Sequence, residues 1–179
     1  MSKKVLIIST SFRKGGNSET LADEFARGAK EAGHQVEKIC LYDKTIHFCK
    51  GCLACQKTGH CIIQDDADSI IQKMQVAEVI VFATPIYYYE MCGQMKTMLD
   101  RSNPLFPFDY KFQDIYLLAS AADSNESAID GAVKGLQGWI DCFEKATLKG
   151  VVRGVGLDNI GAIKESPVLH KAYHIGNTI

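Results

Sequence analysis

Short runs of apolar residues alternate along this chain with segments whose apolar residues recur every three or four positions. The most continuous runs, 5–8 and 79–83, suit strands that are buried on both faces of a parallel sheet. The pattern predicts strands at 5–8, 35–40, 79–83, 115–119 and 149–155, and helices at 18–32, 65–74, 94–101, 126–145 and 167–177. This alternation predicts an α/β fold with a doubly wound parallel sheet and helices on both faces.

Five such strands fit the order 2-1-3-4-5 in a single domain covering residues 1–179. In a sheet of this type, a ligand binds outside the carboxyl ends of the strands, where the winding reverses. That rule brings together the loops 9–18, 84–90 and 120–123. The sequence therefore predicts one binding site built from three segments that are distant in the chain.

The loop after the first strand is rich in groups that could bind a phosphate. Ser9, Thr10, Ser11 and Ser18 supply hydroxyls, and Arg13 supplies a charge-assisted donor. Two glycines let the backbone approach closely, and the start of a helix favours anions. The common G-x-x-x-x-G-K-[ST] and G-x-G-x-x-G motifs are absent, which favours a terminal phosphomonoester such as that of a flavin mononucleotide. An ordinary strand–helix connection with a serine cap is the alternative.

The loop after the third strand offers flat apolar surface with polar groups at its edge. Pro85 stiffens the backbone and holds Thr84 extended. Ile86 and the tyrosines at 87–89 could contact a planar ring such as an isoalloxazine. Packing in the core or at a subunit interface is the alternative interpretation of these tyrosines.

Composition narrows the class of protein. A chain of 179 residues with 46% hydrophobic content can bury one core, and its formal net charge of −1 argues against nucleic-acid or anionic-membrane binding. We see no charged-then-apolar leader and no run of 18 apolar residues, so we expect a cytoplasmic protein without membrane association. The pair Asp65–Asp66 is interpreted as a helix cap.

Four of the seven cysteines lie close together, at positions 49, 52, 55 and 61. In a cytoplasmic protein such clustering favours metal or redox chemistry over disulfides. Four thiolates at compact spacing could ligate an iron–sulfur cube. Two alternatives stay open: a loop of free thiols, and a zinc site in which His60 replaces one cysteine.

Two motifs give the chain a family resemblance. STSFRKGGNSETLADEF and ATPIYYYEMCGQMKTMLDR resemble the phosphate and ring loops of the NADPH-dependent FMN reductase group of flavodoxin-like flavoproteins, and the tail HKAYHIGNTI is also similar. Phe12 departs from this group, which often has proline there. The cysteine run resembles that of the iron–sulfur flavoprotein branch, although the last gap is longer than in common ferredoxins and Ile62 follows Cys61.

The resemblance implies a set of cofactor-binding residues. Those implied for the FMN phosphate are Ser9, Ser11, Arg13, Asn17 and Ser18. Those implied for the ring are Pro85, Ile86, Tyr87 and Tyr88, with Ser120 and Ala121 closing the other edge through backbone groups. It implies no catalytic acid or base, because the chemistry takes place on the flavin and NAD(P)H docks only transiently.

Together, these expectations predict that the protein is an FMN-dependent NAD(P)H oxidoreductase that passes electrons to a small acceptor such as flavin or quinone. The alternatives are an electron carrier between protein partners, with FMN and a possible 4Fe-4S cluster, and a metal-holding module without flavin. Aromatic residues at alternate positions of 106–112 could cover the flavin of a neighbouring subunit. We therefore expect a homodimer or homotetramer.

Overall fold

The computed structural model describes residues 1–179 and contains a six-stranded sheet. Its strands are β1 (Lys4–Ser9), β2 (Gln35–Cys40), β3 (Val79–Tyr87), β4 (Glu90–Met91), β5 (Asp114–Ser120) and β6 (Thr147–Gly154). The five long strands are parallel and lie in the order β2-β1-β3-β5-β6. This confirms the predicted flavodoxin-like order 2-1-3-4-5, to which β4 adds a short antiparallel pairing with β3.

Helices cover both faces of this sheet. They are α1 (Asn17–Glu31), α2 (Cys55–Thr58), α3 (Asp66–Val76), α4 (Gly93–Arg101), α5 (Asp130–Ile140) and α6 (Val168–Thr178). Apolar residues of β1, β3 and β5 alternate between a core shared with α1 and α6 and a larger core shared with α3, α4 and α5. Because both faces are buried, these central strands are continuously apolar, as the sequence indicated.

Two elements differ from the sequence prediction. The helix expected over 126–145 is divided into a 3₁₀ turn at Glu126–Ile129, the helix α5, and a turn after Ile140. The last turn brings Phe143 into the core against Trp139, with ring centroids 4.7 Å apart, so burial of this ring overrides helix continuation. The β3–β4 hairpin was not predicted, because it is formed by only two residue pairs.

The aromatic loop divides between the core and the surface. Phe112 is fully buried and stacks on Tyr110 with centroids 4.4 Å apart, whereas Phe106 and Phe108 remain exposed.

The cysteine-bearing segment 44–64 has no regular structure apart from the single turn of α2. None of the helices combines the length and the apolarity that crossing a membrane would require.

Candidate flavin site

The carboxyl ends of four strands surround a cleft of about 250 Å³. Its walls come from the β1–α1 turn, the end of β3, the end of β5 and the loop after β6. The lining residues are Ser11, Arg13, Gly16, Asn17, Ser18, Pro85, Ile86, Tyr87, Ser120, Ala122, Leu157, Asp158 and Ile160. The structure therefore brings the three predicted segments together, with Ser11 and Tyr87 in the same cleft, and adds a fourth segment.

The β1–α1 turn closes through bonds among its own residues. The Ser11 hydroxyl accepts the Arg13 N–H at 3.1 Å, and the Gly16 N–H donates to the Arg13 carbonyl at 2.9 Å. Gly15 has a φ of +70°, which favours glycine, and its N–H donates to a Glu19 carboxylate oxygen at 2.6 Å. The turn is thereby preformed, with the backbone of Gly16 and the first turn of α1 facing the cleft.

Glu19 lies beneath this turn as an anion. Burial raises the pKa of Glu19, but the Gly15 N–H, the Cys40 thiol and the charge of Lys38 together lower it below its ordinary value. Lys38 Nζ lies 3.5 Å from the carboxylate, so this negative charge is balanced by a neighbouring cation. The sequence motifs gave no indication of this support.

Three observations indicate that the β1–α1 turn is suited to binding an anion. The helix α1 begins without a side-chain cap, so its first N–H groups remain available. The Ser18 hydroxyl is buried, with 1% of the residue exposed, and has no hydrogen-bond partner. A Cβ on Gly16 would lie 2.9 Å from the Arg13 carbonyl and 3.1 Å from Ser11 Oγ, so only glycine fits this cradle.

Two residues predicted to hold the phosphate are placed differently. Ser9 is fully buried with an unpartnered hydroxyl, and it does not line the cleft. Asn17 lines the cleft, but its amide is fully used by the loop after β6. Its nitrogen donates to the carbonyls of Leu157 and Asn159, and its oxygen accepts the N–H groups of Gly161 and Ile163. Asn17 therefore attaches this loop to the start of α1.

On the opposite wall, Pro85, Ile86 and Tyr87 line the cleft as predicted. Pro85 pairs with Ser120 in the sheet register, which places the ends of β3 and β5 side by side. Tyr88 does not line the cleft: it is 99% exposed at the tip of the β3–β4 hairpin. The predicted contact of Tyr88 with a ring in the cleft is not provided by this geometry.

The hairpin tip is strained, because Tyr88 and Tyr89 have φ values of 51° and 63°. Two positive φ values match a type I′ turn, which normally carries Asn-Gly. The Tyr89 hydroxyl donates to Asp123 at 3.1 Å, and a Cβ on Gly131 of α5 would lie 2.2 Å from the Tyr89 carbonyl oxygen. Close packing of α5 therefore holds the hairpin in place.

At the end of β5, Ser120 lines the cleft but Ala121 does not. The Ala121 N–H donates to the Gly154 carbonyl at 2.8 Å, and its carbonyl accepts the Leu157 N–H at 2.9 Å. Both backbone groups of Ala121 are thus used within the protein, and the neighbouring Ala122 reaches the cleft instead. The predicted ring contact through Ala121 is not supported by this arrangement.

The loop after β6 was missed in the sequence reasoning. Its residues Leu157, Asp158 and Ile160 form one side of the cleft. The rule that ligands lie outside the carboxyl ends of strands applies to β6 as much as to β1, β3 and β5, so the signal was present.

The cysteine segment is attached to the protein at its base and at two points within it. The Asn103 amide donates to Cys55 Sγ at 3.5 Å, and the Cys61 N–H donates to Asp68 at 3.4 Å. Cys49 and Cys52 are exposed, Cys61 is half-buried and Cys55 is buried in α2; all four are free thiols. No three His, Cys, Asp or Glu side chains lie together as a group that could hold a metal ion. The donor set has the right chemistry for an iron–sulfur cluster, but the structure does not assemble it, so the metal site stays a prediction.

A buried ion pair closes that base. The Arg101 guanidinium donates to both Asp65 carboxylate oxygens, at 2.6 and 2.9 Å, and their side chains are 0% and 1% exposed. Arg101 also donates to the carbonyls of His47 and Ile63, on either side of the cysteines. Asp65 caps α3 through the Ala67 N–H, which confirms the predicted capping and adds a partner that the sequence did not reveal.

Comparison with known proteins shows the family of this chain. Residues 3–149 match the model of the family described as NADPH-dependent FMN reductase. A Bacillus subtilis relative, provisionally named NAD(P)H-dependent FMN-containing oxidoreductase, is 32% identical over 86% of this chain and 85% of its own. An iron-sulfur flavoprotein of Methanocaldococcus jannaschii is 40% identical over 57% of this chain and 53% of its own.

The chain spans about half the length of the first curated relatives it matches, 53% and 46%. Among solved structures, an NAD(P)H:quinone oxidoreductase from Methanothermobacter marburgensis superposes with a TM-score of 0.79, covering 99% of this chain and 96% of that one. At 16% identity this likeness shows a shared fold. With its sheet order, its cleft and the family match over 3–149, this chain belongs to the NADPH-dependent FMN reductase family.

Proposed function

We propose that this protein is an FMN-dependent NAD(P)H oxidoreductase that passes electrons to a small acceptor such as free flavin or a quinone. The observation that carries this proposal is the buried, unpartnered Ser18 hydroxyl at the uncapped start of α1, in the same cleft as Pro85 and Tyr87. A buried hydroxyl without a partner is costly, and a phosphate oxygen would satisfy it. The name of the Bacillus subtilis relative supports the same chemistry.

Different residues of the cleft would bind the two ends of the cofactor. Ser11, Ser18, Arg13 and the first N–H groups of α1 would hold the phosphate. Pro85, Ile86 and Tyr87 would border the ring, with Ser120 across the sheet. FMN held by these residues would supply the redox chemistry between NAD(P)H and the acceptor, and the protein would supply binding, orientation and electrostatics.

Titration of the apoprotein with FMN tests the phosphate contact. Ser18→Ala should weaken FMN binding by about 10- to 100-fold, because a hydrogen bond to a charged group contributes about 1.5–3 kcal/mol. Ser69→Ala, at an exposed position on α3, is the matched control and should leave the affinity unchanged. An apoprotein that binds no FMN would overturn the proposal.

Anaerobic addition of NAD(P)H tests the reductase activity. We expect rapid bleaching of the flavin absorbance, followed by reoxidation when a quinone or free flavin is added. Absence of bleaching in the FMN-loaded protein would favour the second candidate, an electron carrier between protein partners.

The specific observation behind the second candidate is the set of four free thiols within one segment. Iron and acid-labile sulfide should be assayed on protein purified anaerobically, together with Cys52→Ala. If a cluster forms, the variant should lose the brown colour and its iron while retaining FMN. Iron-free protein in both cases would support the free-thiol alternative, and zinc without sulfide would support a zinc site.

We propose that this protein forms a homo-oligomer. Phe106 and Phe108 are 55% and 40% exposed, and Tyr88 is 99% exposed, which favours burial of these aromatic rings against another subunit. Light scattering at micromolar concentration should give a homodimer or homotetramer. A monomer at that concentration would contradict the proposal.

A further inference from the structure

The Cys92 thiol is buried between the two turns assigned above to the two ends of the cofactor. Its sulfur lies 3.1 Å from the Thr10 hydroxyl and 3.4 Å from the Thr84 hydroxyl, and only 1% of the residue is exposed. Thr10 immediately precedes Ser11 in the β1–α1 turn, and Thr84 immediately precedes Pro85 at the end of β3. One sulfur atom thus contacts the residue next to each binding segment.

The hydrogen-bond directions make this contact specific. The Thr10 hydroxyl donates to the Ala83 carbonyl at 2.9 Å, so the Cys92 S–H is the donor toward Thr10, whose hydroxyl oxygen lies at 3.1 Å and whose carbonyl oxygen lies at 3.5 Å. The Cys92 N–H donates to the Thr84 hydroxyl at 3.2 Å, and Cys92 is also the residue that precedes the first turn of α4. Cys92 therefore joins the β1–α1 turn, the end of β3 and the start of α4 at a single buried point.

We propose that Cys92 is a positioning residue that fixes the separation between the phosphate-binding and ring-binding turns. This inference rests on the proposed function, because it concerns how the cleft receives FMN. A ligand that touches both turns gains affinity from a preset separation, since the cost of aligning the turns has been met before binding. A ligand that touches only the ring-binding turn gains much less. Cys92 acts here through Thr10 and Thr84, without contacting the ligand.

The test compares FMN with riboflavin, which has the same ring and lacks the phosphate. We expect Cys92→Ala to weaken FMN binding by about tenfold and riboflavin binding by about twofold or less, since two weak buried hydrogen bonds are lost. The visible circular dichroism of the protein saturated with FMN should also change, because the ring is held at a different angle. Thr10→Val, which removes the hydroxyl at nearly constant volume, should reproduce both effects.

Two further variants separate positioning from general destabilisation. Cys92→Ser retains a donor and should keep FMN affinity within about threefold of the native protein. Cys142→Ala, at an exposed cysteine, is the matched control and should leave FMN affinity and dichroism unchanged.

The outcomes distinguish this inference from the function on which it rests. If Cys92→Ala and Thr10→Val lower the Tm of the apoprotein but leave FMN affinity and dichroism unchanged, Cys92 has only a structural role and the inference is wrong. Equal loss of FMN and riboflavin affinity would overturn it as well. If the native protein binds no FMN, the proposed function itself fails.

Discussion

The fold assembles the candidate flavin cleft from segments that are distant in the chain, whereas the cysteine segment has its chemistry-bearing residues close together in the sequence and is not assembled into a site. The walls of the cleft are strand ends whose neighbours are set by the sheet register, such as Pro85 beside Ser120. The cysteine segment, 44–64, lies outside the sheet and contains one turn of helix. Residue spacing is therefore a strong guide where parallel strands dictate positions, and a weak guide in a segment without regular secondary structure.

The base of the cysteine segment shows where its order comes from. Arg101 and Asp65 are buried and paired, and they join the residues before and after the four cysteines. Burial raises the pKa of Asp65, but hydrogen bonds from Arg101 and from the His47 and Ala67 N–H groups outweigh it and lower the pKa to about 2. The charge pair thus fixes the two ends of this segment to the protein.

The largest expected effect comes from removing one member of that pair. Arg101→Met should lower the free energy of unfolding by about 3–5 kcal/mol, because Asp65 is left buried and unpaired. Trypsin should then cleave the segment at Lys50 or Lys57, while FMN affinity is retained. Lys96→Met, which breaks the exposed pair with Asp100, is the control and should cost less than about 1 kcal/mol. An equally small loss for Arg101→Met would show that the pair does not hold the segment.

The next largest loss of stability is expected at the β3–β4 hairpin beside the cleft. Gly131→Ala should cost up to about 3 kcal/mol, because its Cβ would overlap the Tyr89 carbonyl oxygen and displace the hairpin. FMN affinity should fall too, while proteolysis of the cysteine segment should not change. Gly138→Ala on the same helix has no neighbour within 4 Å and should stabilise by up to about 1 kcal/mol. Chemical denaturation of both variants measures the difference, and similar values would contradict the close packing of α5 on the hairpin.

Acid should weaken the base of the cysteine segment. The pKa of Asp65 is lowered from 3.8 to about 2, so its contribution of about 2 kcal/mol is fully present above about pH 4 and is lost as the pH falls toward 2. Denaturation curves between pH 5 and 2 should show this slope in the native protein. Asp65→Asn should flatten the slope. An unchanged slope in that variant would assign the acid sensitivity to other carboxyls.

The smallest expected effect concerns the tip of the β3–β4 hairpin. Tyr88→Asn should raise the free energy of unfolding by about 1 kcal/mol, because asparagine adopts a positive φ at lower cost than tyrosine. Ile62→Asn, an exposed apolar residue without positive φ, controls for the removal of apolar surface. Thermal unfolding of both variants should show a higher Tm only for Tyr88→Asn. Equal shifts would mean that the strain is not the cause.

Much of the cleft could be predicted because period and spacing are properties of the chain. Continuous apolar runs identify the central strands, and the ligand rule for parallel sheets then places Ser11, Pro85 and Ser120 at one edge. Tyr88 was predicted to contact the ring, but two residue pairs of a hairpin, which the hydrophobic pattern does not show, place its side chain in solvent. The partners of the Asn17 amide lie 140 or more positions away, so its use within the protein could not be predicted from the sequence.

The sequence by itself determined the strand order, the family and the chemical character of the loops, since these depend on local pattern and residue type. Which polar groups have hydrogen-bond partners within the protein, and which remain available to a ligand, depends on the tertiary structure. The amide of Asn17 is used by the loop after β6, and the backbone of Ala121 is used by the last residue of β6 and by that loop, whereas the hydroxyl of Ser18 stays without a partner. The physical reason is that a hydrogen bond joins groups by their distance in space, which separation along the chain does not encode.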